Sequence, residues 1–162
     1  MTSTPACVIT VSDRSAAGER EDRGGPIAVA LLREAGWHCP DAEIIPDGAE
    51  AVADALRRAA ARGIKLIVTT GGTGVAPRDE TPEGTRQVIT REVPGIAEEL
   101  RRRGLVDTPK SVLSRGLAGI IDPYGALVVN LPGSTNAVTS GVPIVLTVAA
   151  HIVDQLAGGD HT

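Results

Sequence analysis

The chain has no phenylalanine, one tryptophan (Trp37), one tyrosine (Tyr124) and two cysteines among 162 residues. So few aromatic side chains leave it poor in the stacking platforms that hold single-stranded nucleic acids. It also lacks a basic excess. The formal net charge is −4 and the pI about 5.4, which argues against binding that rests on neutralising a phosphate backbone. Cys7 and Cys39 show no metal-like spacing, and Cys7 lies in the apolar run Ala6-Cys7-Val8-Ile9, where it reads as a small buried hydrophobe. The N-terminus has neither the basic nor the apolar region of a signal peptide, and no apolar run reads as long enough to span a bilayer. These absences lead to the expectation of a reduced, cytoplasmic protein with neither nucleic-acid nor membrane partners.

What the chain does have is aliphatic. The hydrophobic fraction is 42% with 19 glycines, so Val, Ile, Leu and Ala must carry the packing. The length corresponds to one domain over residues 1–162. Strand-like and helix-like segments alternate, which points to an α/β layered fold. Residues 6–12 read as a first buried strand, 25–35 as a helix stopped at Gly36, and 37–45 as a second strand. A helix is expected over 49–62 and a β-branched central strand over 64–69. Two short helices, 83–91 and 95–103, are split by Pro94-Gly95. Apolar runs at 112–121 and 126–131 flank Asp122-Pro123-Tyr124-Gly125, whose residue types suit a type I turn and a hairpin. A final helix is expected over 137–157, with Pro143 marking its first turn or a kink, followed by a frayed tail at 158–162.

The densest chemistry follows the central strand, in Thr69-Thr70-Gly71-Gly72-Thr73-Gly74-Val75-Ala76-Pro77-Arg78-Asp79-Glu80-Thr81-Pro82. The loop lacks the Gly-Lys-Ser/Thr ending of a Walker A sequence. Pro77 stands where the dinucleotide fingerprint needs its third glycine. What remains is a run of bare backbone N–H groups and threonine hydroxyls able to approach an anion, at a strand end, where open α/β sheets bind ligands. Asp79 alone reads either as a turn residue or as a Mg²⁺ ligand, since hard cations bridge carboxylates to phosphates. Asp47, in Ile45-Pro46-Asp47-Gly48, reads either as a helix cap or as a second acid on the same edge. Ser12-Asp13-Arg14 would leave the first strand on that edge. Pro132-Gly133-Ser134-Thr135-Asn136 would open the last helix there, as a cap or an anion site. The run Arg101-Arg102-Arg103 reads as a solvated helix end.

Together these segments resemble the molybdopterin-binding family of MogA/MoaB type, which includes the gephyrin G domain. The resemblance rests on Thr69–Gly74, Pro77-Arg78-Asp79 and Thr81-Pro82. Val11-Ser12-Asp13-Arg14, Pro46-Asp47, Pro94-Gly95, Leu113-Ser114-Arg115 and Asn130-Leu131-Pro132-Gly133-Ser134 add to it. It implies a three-layer α/β/α sandwich with a mostly parallel sheet, assembled as a homotrimer. It also implies Mg-ATP-dependent adenylylation of molybdopterin with release of pyrophosphate, or, as the alternative, a non-catalytic binding, delivery or scaffold role of MoaB-like kind. Carried over by motif, Asp79 and Asp47 become the catalytic residues and Mg²⁺ ligands. Ser12, Asp13, Gly71, Gly72, Thr73, Gly74, Ser114, Pro132, Gly133 and Ser134 become substrate-binding residues. The implied partners are molybdopterin, ATP and the molybdate-inserting enzyme of the pathway. Two departures stand out. Glu80 occupies a place often apolar in the family and either points to solvent or alters metal affinity. Asn136 stands where some members have lysine and others asparagine.

Overall fold

A computed structural model describes residues 3–159 of the chain. Six strands form one sheet in the order β2-β1-β3-β6-β5-β4. They are β1 (Ala6–Val11), β2 (Glu43–Ile45), β3 (Leu66–Thr70), β4 (Arg91–Glu92), β5 (Ala118–Ile121) and β6 (Ala126–Leu131). The first four in that order run parallel, and β5 and β4 continue the sheet antiparallel. A one-turn helix, α1 (Asp13–Ala16), follows β1, and longer helices cover both faces, so the three-layer, mostly parallel α/β/α expectation holds.

The strand sequences explain the two-sided cover. All residues of β1, β3 and β6 are buried, as a parallel sheet with helices on both faces requires. Alternation then splits the core in two. Ala6, Val8, Leu66, Val68, Leu127 and Val129 face α2 (Gly24–Glu34), α5 (Pro94–Gly104) and α6 (Thr135–Leu156). Cys7, Ile9, Val11, Ile67 and Val128 face α3 (Ala49–Ala61), whose Val52, Ala55, Leu56, Ala59 and Ala60 form its apolar stripe. α4 (Thr81–Arg86) packs beside α3, with Gly84 in close contact with Ala49 O and Val52. Cys7 and Cys39 are free and buried. Burial pushes the Cys7 thiol up to about 12, which keeps it a neutral packing group.

Several boundaries differ from the sequence-based expectation. The strand expected over 37–45 is only Glu43–Ile45, because Trp37 and Cys39 turn into the core and only an isolated bridge joins Pro5 to His38. The helix expected over 83–91 ends at Arg86, and Arg91–Glu92 instead pair with β5. Residues 109–113 form a 3-10 helix, so the run 112–121 becomes strand only from Ala118. The hairpin joining β5 and β6 is present, with a cis Asp122–Pro123 bond and Gly125 at φ +63° in its turn. Arg101 is not merely solvated: it donates to the carbonyls of Ser114 and Gly116. The frayed-tail expectation falls largely outside the described residues.

The last helix also corrects two expectations. α6 runs unbroken from Thr135 through Pro143 to Leu156, so the proline is interior. Its missing N–H leaves the Thr139 carbonyl without a helical donor, at a surface-exposed turn where water can serve. At 22 residues, with an 18-residue stretch of mean hydropathy 1.6, α6 is long and apolar enough to cross a membrane by length and composition, contrary to the sequence reading. In this fold Val138, Val142, Val145 and Ala149 instead bury one face against the sheet and α2, with Leu146, Val148 and Ile152 half-buried alongside.

One buried polar residue ties β6, β3, α4 and the segment leading into β5 together. Asn130 on β6 accepts from Leu117 N–H (3.0 Å) and donates to the hydroxyls of Thr69 on β3 (2.9 Å) and Thr85 on α4 (3.0 Å). Buried groups left unpaired are costly, and three partners depend on this amide. Asn130→Ala should lower the unfolding free energy by roughly 2–4 kcal/mol, read as a lower urea midpoint. A change within about 0.5 kcal/mol would show that the amide is not the tie described.

Candidate functional site

Four parallel strands end on one edge of the sheet, and four loops leave there. The path β1–α2–β2 passes over one face and β2–α3–β3 over the other, so the winding reverses between β1 and β3. A crevice opens outside the strand ends at such a point. Here it is a cleft of about 900 Å³. Ser12, Asp47, Gly71, Gly72, Thr73, Gly74, Asp79, Ser114, Pro132, Gly133 and Ser134 line it. Of the residues expected at the site, only Asp13 is absent from that wall.

The glycine loop is shaped by close approach. Gly71 has φ +93°, and a Cβ there would stand 2.3 Å from the Val11 carbonyl oxygen. Gly72 has φ +68°, and a Cβ there would stand 2.2 Å from the Thr81 hydroxyl. Both positions require glycine. Gly71 N–H is already spent on the Leu131 carbonyl (2.9 Å), so it does not serve an anion. The N–H groups of Gly72, Thr73 and Gly74 have no partner within the described residues. Three successive free donors beside a cleft form an anion-binding concavity. Ser134 caps α6 by accepting from Ala137 N–H (3.1 Å). The N–H groups of Thr135 and Asn136 stay unpaired in that first helical turn, adding the positive end of a long helix to the same wall.

The acids divide into two kinds. Asp13 and Asp47 clasp each other through the backbone: Asp13 N–H donates to Asp47 Oδ2 (2.9 Å), and Asp47 N–H to Asp13 Oδ1 (3.1 Å). Arg78 closes the clasp. Its Nε and Nη2 each reach the Asp13 carboxylate at 3.1 Å, and Nη2 also reaches Asp47 O at 2.9 Å. Asp13 is therefore occupied. The Arg78 guanidinium holds its carboxyl below the usual aspartate value, with Asp47 N–H adding to the effect. Asp47 behaves oppositely. Burial pushes it up, and the charges of Asp13 and Asp79 add to that rise, against the pull of Asp13 N–H and Arg78. Asp79 Oδ2 accepts from Ala76 N–H within its own loop (3.1 Å). Glu80 does not simply point to solvent: its Oε2 accepts from Ala49 N–H (2.9 Å) and caps α3.

One oxygen each of Asp47 and Asp79 thus remains without a hydrogen bond, beside three free N–H groups. Among the described residues no group of three or more His, Cys, Asp and Glu side chains could hold a metal by itself. Two carboxylates without a third suit Mg²⁺ that arrives with substrate phosphates, because this ion keeps waters and phosphate oxygens as most of its ligands.

Sequence reasoning missed the far wall. Arg20 and Arg23 precede α2, Asp107 and Thr108 lie between α5 and the 3-10 helix, Lys110 lies in that helix, and all five line the cleft. Nothing in their spacing announces this, because it follows from α5 packing on α6. Arg115 was also missed; its motif was noted, but its contacts with the glycine loop are visible only in three dimensions.

Residues 7–151 match the family described as a probable molybdopterin binding domain. The chain is 40% identical over 156 residues to a molybdenum cofactor biosynthesis bifunctional protein from Synechococcus elongatus, covering 96% of this chain and 48% of that one. The chain therefore spans about half of that relative. It is 40% identical over 149 residues to a molybdopterin adenylyltransferase from Pyrococcus furiosus, covering 90% and 87%. The molybdopterin biosynthesis Mog protein structure from Mycobacterium ulcerans superimposes with a TM-score of 0.89 at 40% identity, covering 98% and 99%.

The Asp13 clasp has a pH signature. An aspartate with a lowered folded-state pKa stabilises the fold above its unfolded value and loses that contribution as pH falls through the folded one. The difference in urea midpoint between wild type and Asp13→Asn should be full at neutral pH. It should shrink only as pH falls below about 4. A difference that does not vary with pH would show that the Arg78 pair contributes nothing to the fold.

Proposed function

Because the chain belongs to the probable molybdopterin binding domain family, we propose that it serves molybdenum cofactor biosynthesis by transferring an adenylyl group from ATP to molybdopterin. The observation that carries this is the convergence of the free oxygens of Asp47 and Asp79 with the unpaired N–H groups of Gly72, Thr73 and Gly74 in one cleft. The name of the Pyrococcus furiosus relative supports the same reading.

In this reaction an oxygen of the molybdopterin phosphate attacks the α-phosphorus of ATP. The bond from that phosphorus to the bridging oxygen breaks, and pyrophosphate departs with the electron pair. Two anions must meet, so positioning and charge neutralisation dominate. Asp47 and Asp79 would hold Mg²⁺, which supplies neutralisation of the triphosphate. The N–H groups of Gly72–Gly74 donate to phosphate oxygens, as do those of Thr135 and Asn136 at the start of α6. With Asn136 in place of lysine, the α6 end contributes dipole and hydrogen bonds rather than a full charge. Ser12, Ser114 and Ser134 offer hydroxyls to the remaining polar groups. Asp13 does not touch substrate in this scheme; it orients Asp47.

The proposed setting is a cytoplasmic homotrimer whose product passes to the molybdate-inserting enzyme. Leu105, Val106, Val112 and Leu113 form an exposed apolar group around the end of α5, with Val106 87% exposed, and are the surface we assign to subunit contact. Mass measurement in solution checks this: a monomer at micromolar concentration would remove the assignment.

Asp79→Asn tests the chemistry. Pyrophosphate release with ATP, Mg²⁺ and molybdopterin should fall by at least about 10²-fold, while the urea midpoint and molybdopterin binding stay near wild type. Turnover unchanged in Asp79→Asn would sink the role given to this carboxylate. Tight binding of both substrates by wild type with no pyrophosphate release would favour a binding or delivery role instead.

A further inference from the structure

A basic side chain beside a nucleotide cleft is ordinarily read as a phosphate ligand. Arg115 does not serve that way. It lies between the 3-10 helix and β5, outside the glycine loop, and each of its three guanidinium nitrogens donates to a protein acceptor. Nε donates to Gly74 O (2.9 Å) and Nη2 to Asp79 O (2.7 Å). Nη1 pairs with the Glu83 carboxylate, and Nη2 reaches its second oxygen at 3.5 Å. The backbone N–H of Arg115 donates to Thr73 O (2.8 Å). Arg115 is not among the residues lining the cleft.

The carbonyls it holds are those at the two ends of the segment 74–79. One planar group therefore closes the loop that carries Asp79. Closure brings the Asp79 carboxylate over the glycine run: a Cβ on Gly74 would stand 2.8 Å from Asp79 Oδ2. Glu83, in the first turn of α4, anchors the fork to a helix, and the Arg115 guanidinium holds its carboxyl below the usual glutamate value. A lysine cannot replace this arrangement. Its single nitrogen lacks the rigid fork that spans two carbonyls and a carboxylate at once.

We propose that Arg115, braced by Glu83, is a positioning residue that clamps Gly74 to Asp79 and so sets the catalytic carboxylate against the phosphate-binding loop. The proposal rests on the adenylyl-transfer reading for its kinetic consequence, but not for its structural one. A displacement of about 1 Å in a positioning group is enough to cost about 10²-fold in rate. Arg115→Lys should therefore lower kcat for pyrophosphate release by about 10–100-fold while changing KM for ATP by less than about threefold. Glu83→Gln, an exposed change expected to fold normally, should lower kcat in the same direction by a smaller factor. The two should be non-additive in the double variant, because they act as one unit.

Amide hydrogen exchange gives a readout that does not need activity. Asp79 N–H donates to Ala76 O (3.0 Å), and its protection should drop in Arg115→Lys and, less, in Glu83→Gln, with the core strands unchanged. Unchanged Asp79 protection in both variants overturns the proposal. So does a raised KM for ATP with kcat unchanged in Arg115→Lys, which is the pattern of a phosphate ligand. If wild type releases no pyrophosphate, the functional reading fails. Loss of Asp79 protection in the variants then still upholds the clamp.

Discussion

In-register parallel pairing of β1, β3 and β6 is the constraint on which the site depends. Thr10, Thr70 and Leu131 stand in one row across the three strands. The next residue on each, Val11, Gly71 and Pro132, leaves toward the same edge. A slip of one residue would turn every core side chain to the wrong face, so the aliphatic alternation that builds the two cores also aligns the loop exits. Gly71 makes the alignment possible, because only a residue without Cβ can pass the Val11 carbonyl at that distance. The loop-bearing edge is thus a by-product of burying two faces of Val, Ile and Leu.

Crowding of acids on that edge is the cost of the arrangement. Asp13, Asp47, Asp79 and Glu80 all lie near the turn between β3 and α4 and the start of α3. The fold resolves this by giving two of them structural partners. Asp13 takes the Arg78 fork, and Glu80 takes the end of α3. The other two keep an oxygen each without a hydrogen bond, and Asp47 is held above its ordinary pKa by burial and by its neighbours. An uncompensated pair beside free N–H groups is unfavourable in the empty fold, but suited to a cation that arrives between phosphates. The two arginines, Arg78 and Arg115, do not compete for that ligand, because each is engaged by the protein's own acceptors.

Much of this was legible in the amino-acid order. Periodicity located β1, β3, α2, α3 and α6 within a few residues, because each has a continuous or strongly striped apolar pattern. It failed where local and tertiary signals part. Trp37 and Cys39 suggested a long strand but are packed by side-chain burial rather than by pairing. Pro143 reads as a first turn or a kink, and the first of these fails because tertiary packing of the valines on both sides carries α6 through it.

By itself, then, the sequence determined the layered α/β class, the glycine loop, the two candidate acids and the resemblance that joins them. Each of those is encoded locally, in residue type and short spacing. Only the tertiary structure decided that Asp13 is spent on Arg78 and Glu80 on α3. The same holds for Gly71 N–H, which belongs to the sheet, and for Arg115, which clamps the aspartate loop. Those roles depend on which donors and acceptors lie within about 3 Å of one another. Residues separated by 31 to 65 positions in the chain, such as Asp13 and Arg78 or Ala49 and Glu80, meet at that distance only after the sheet has formed.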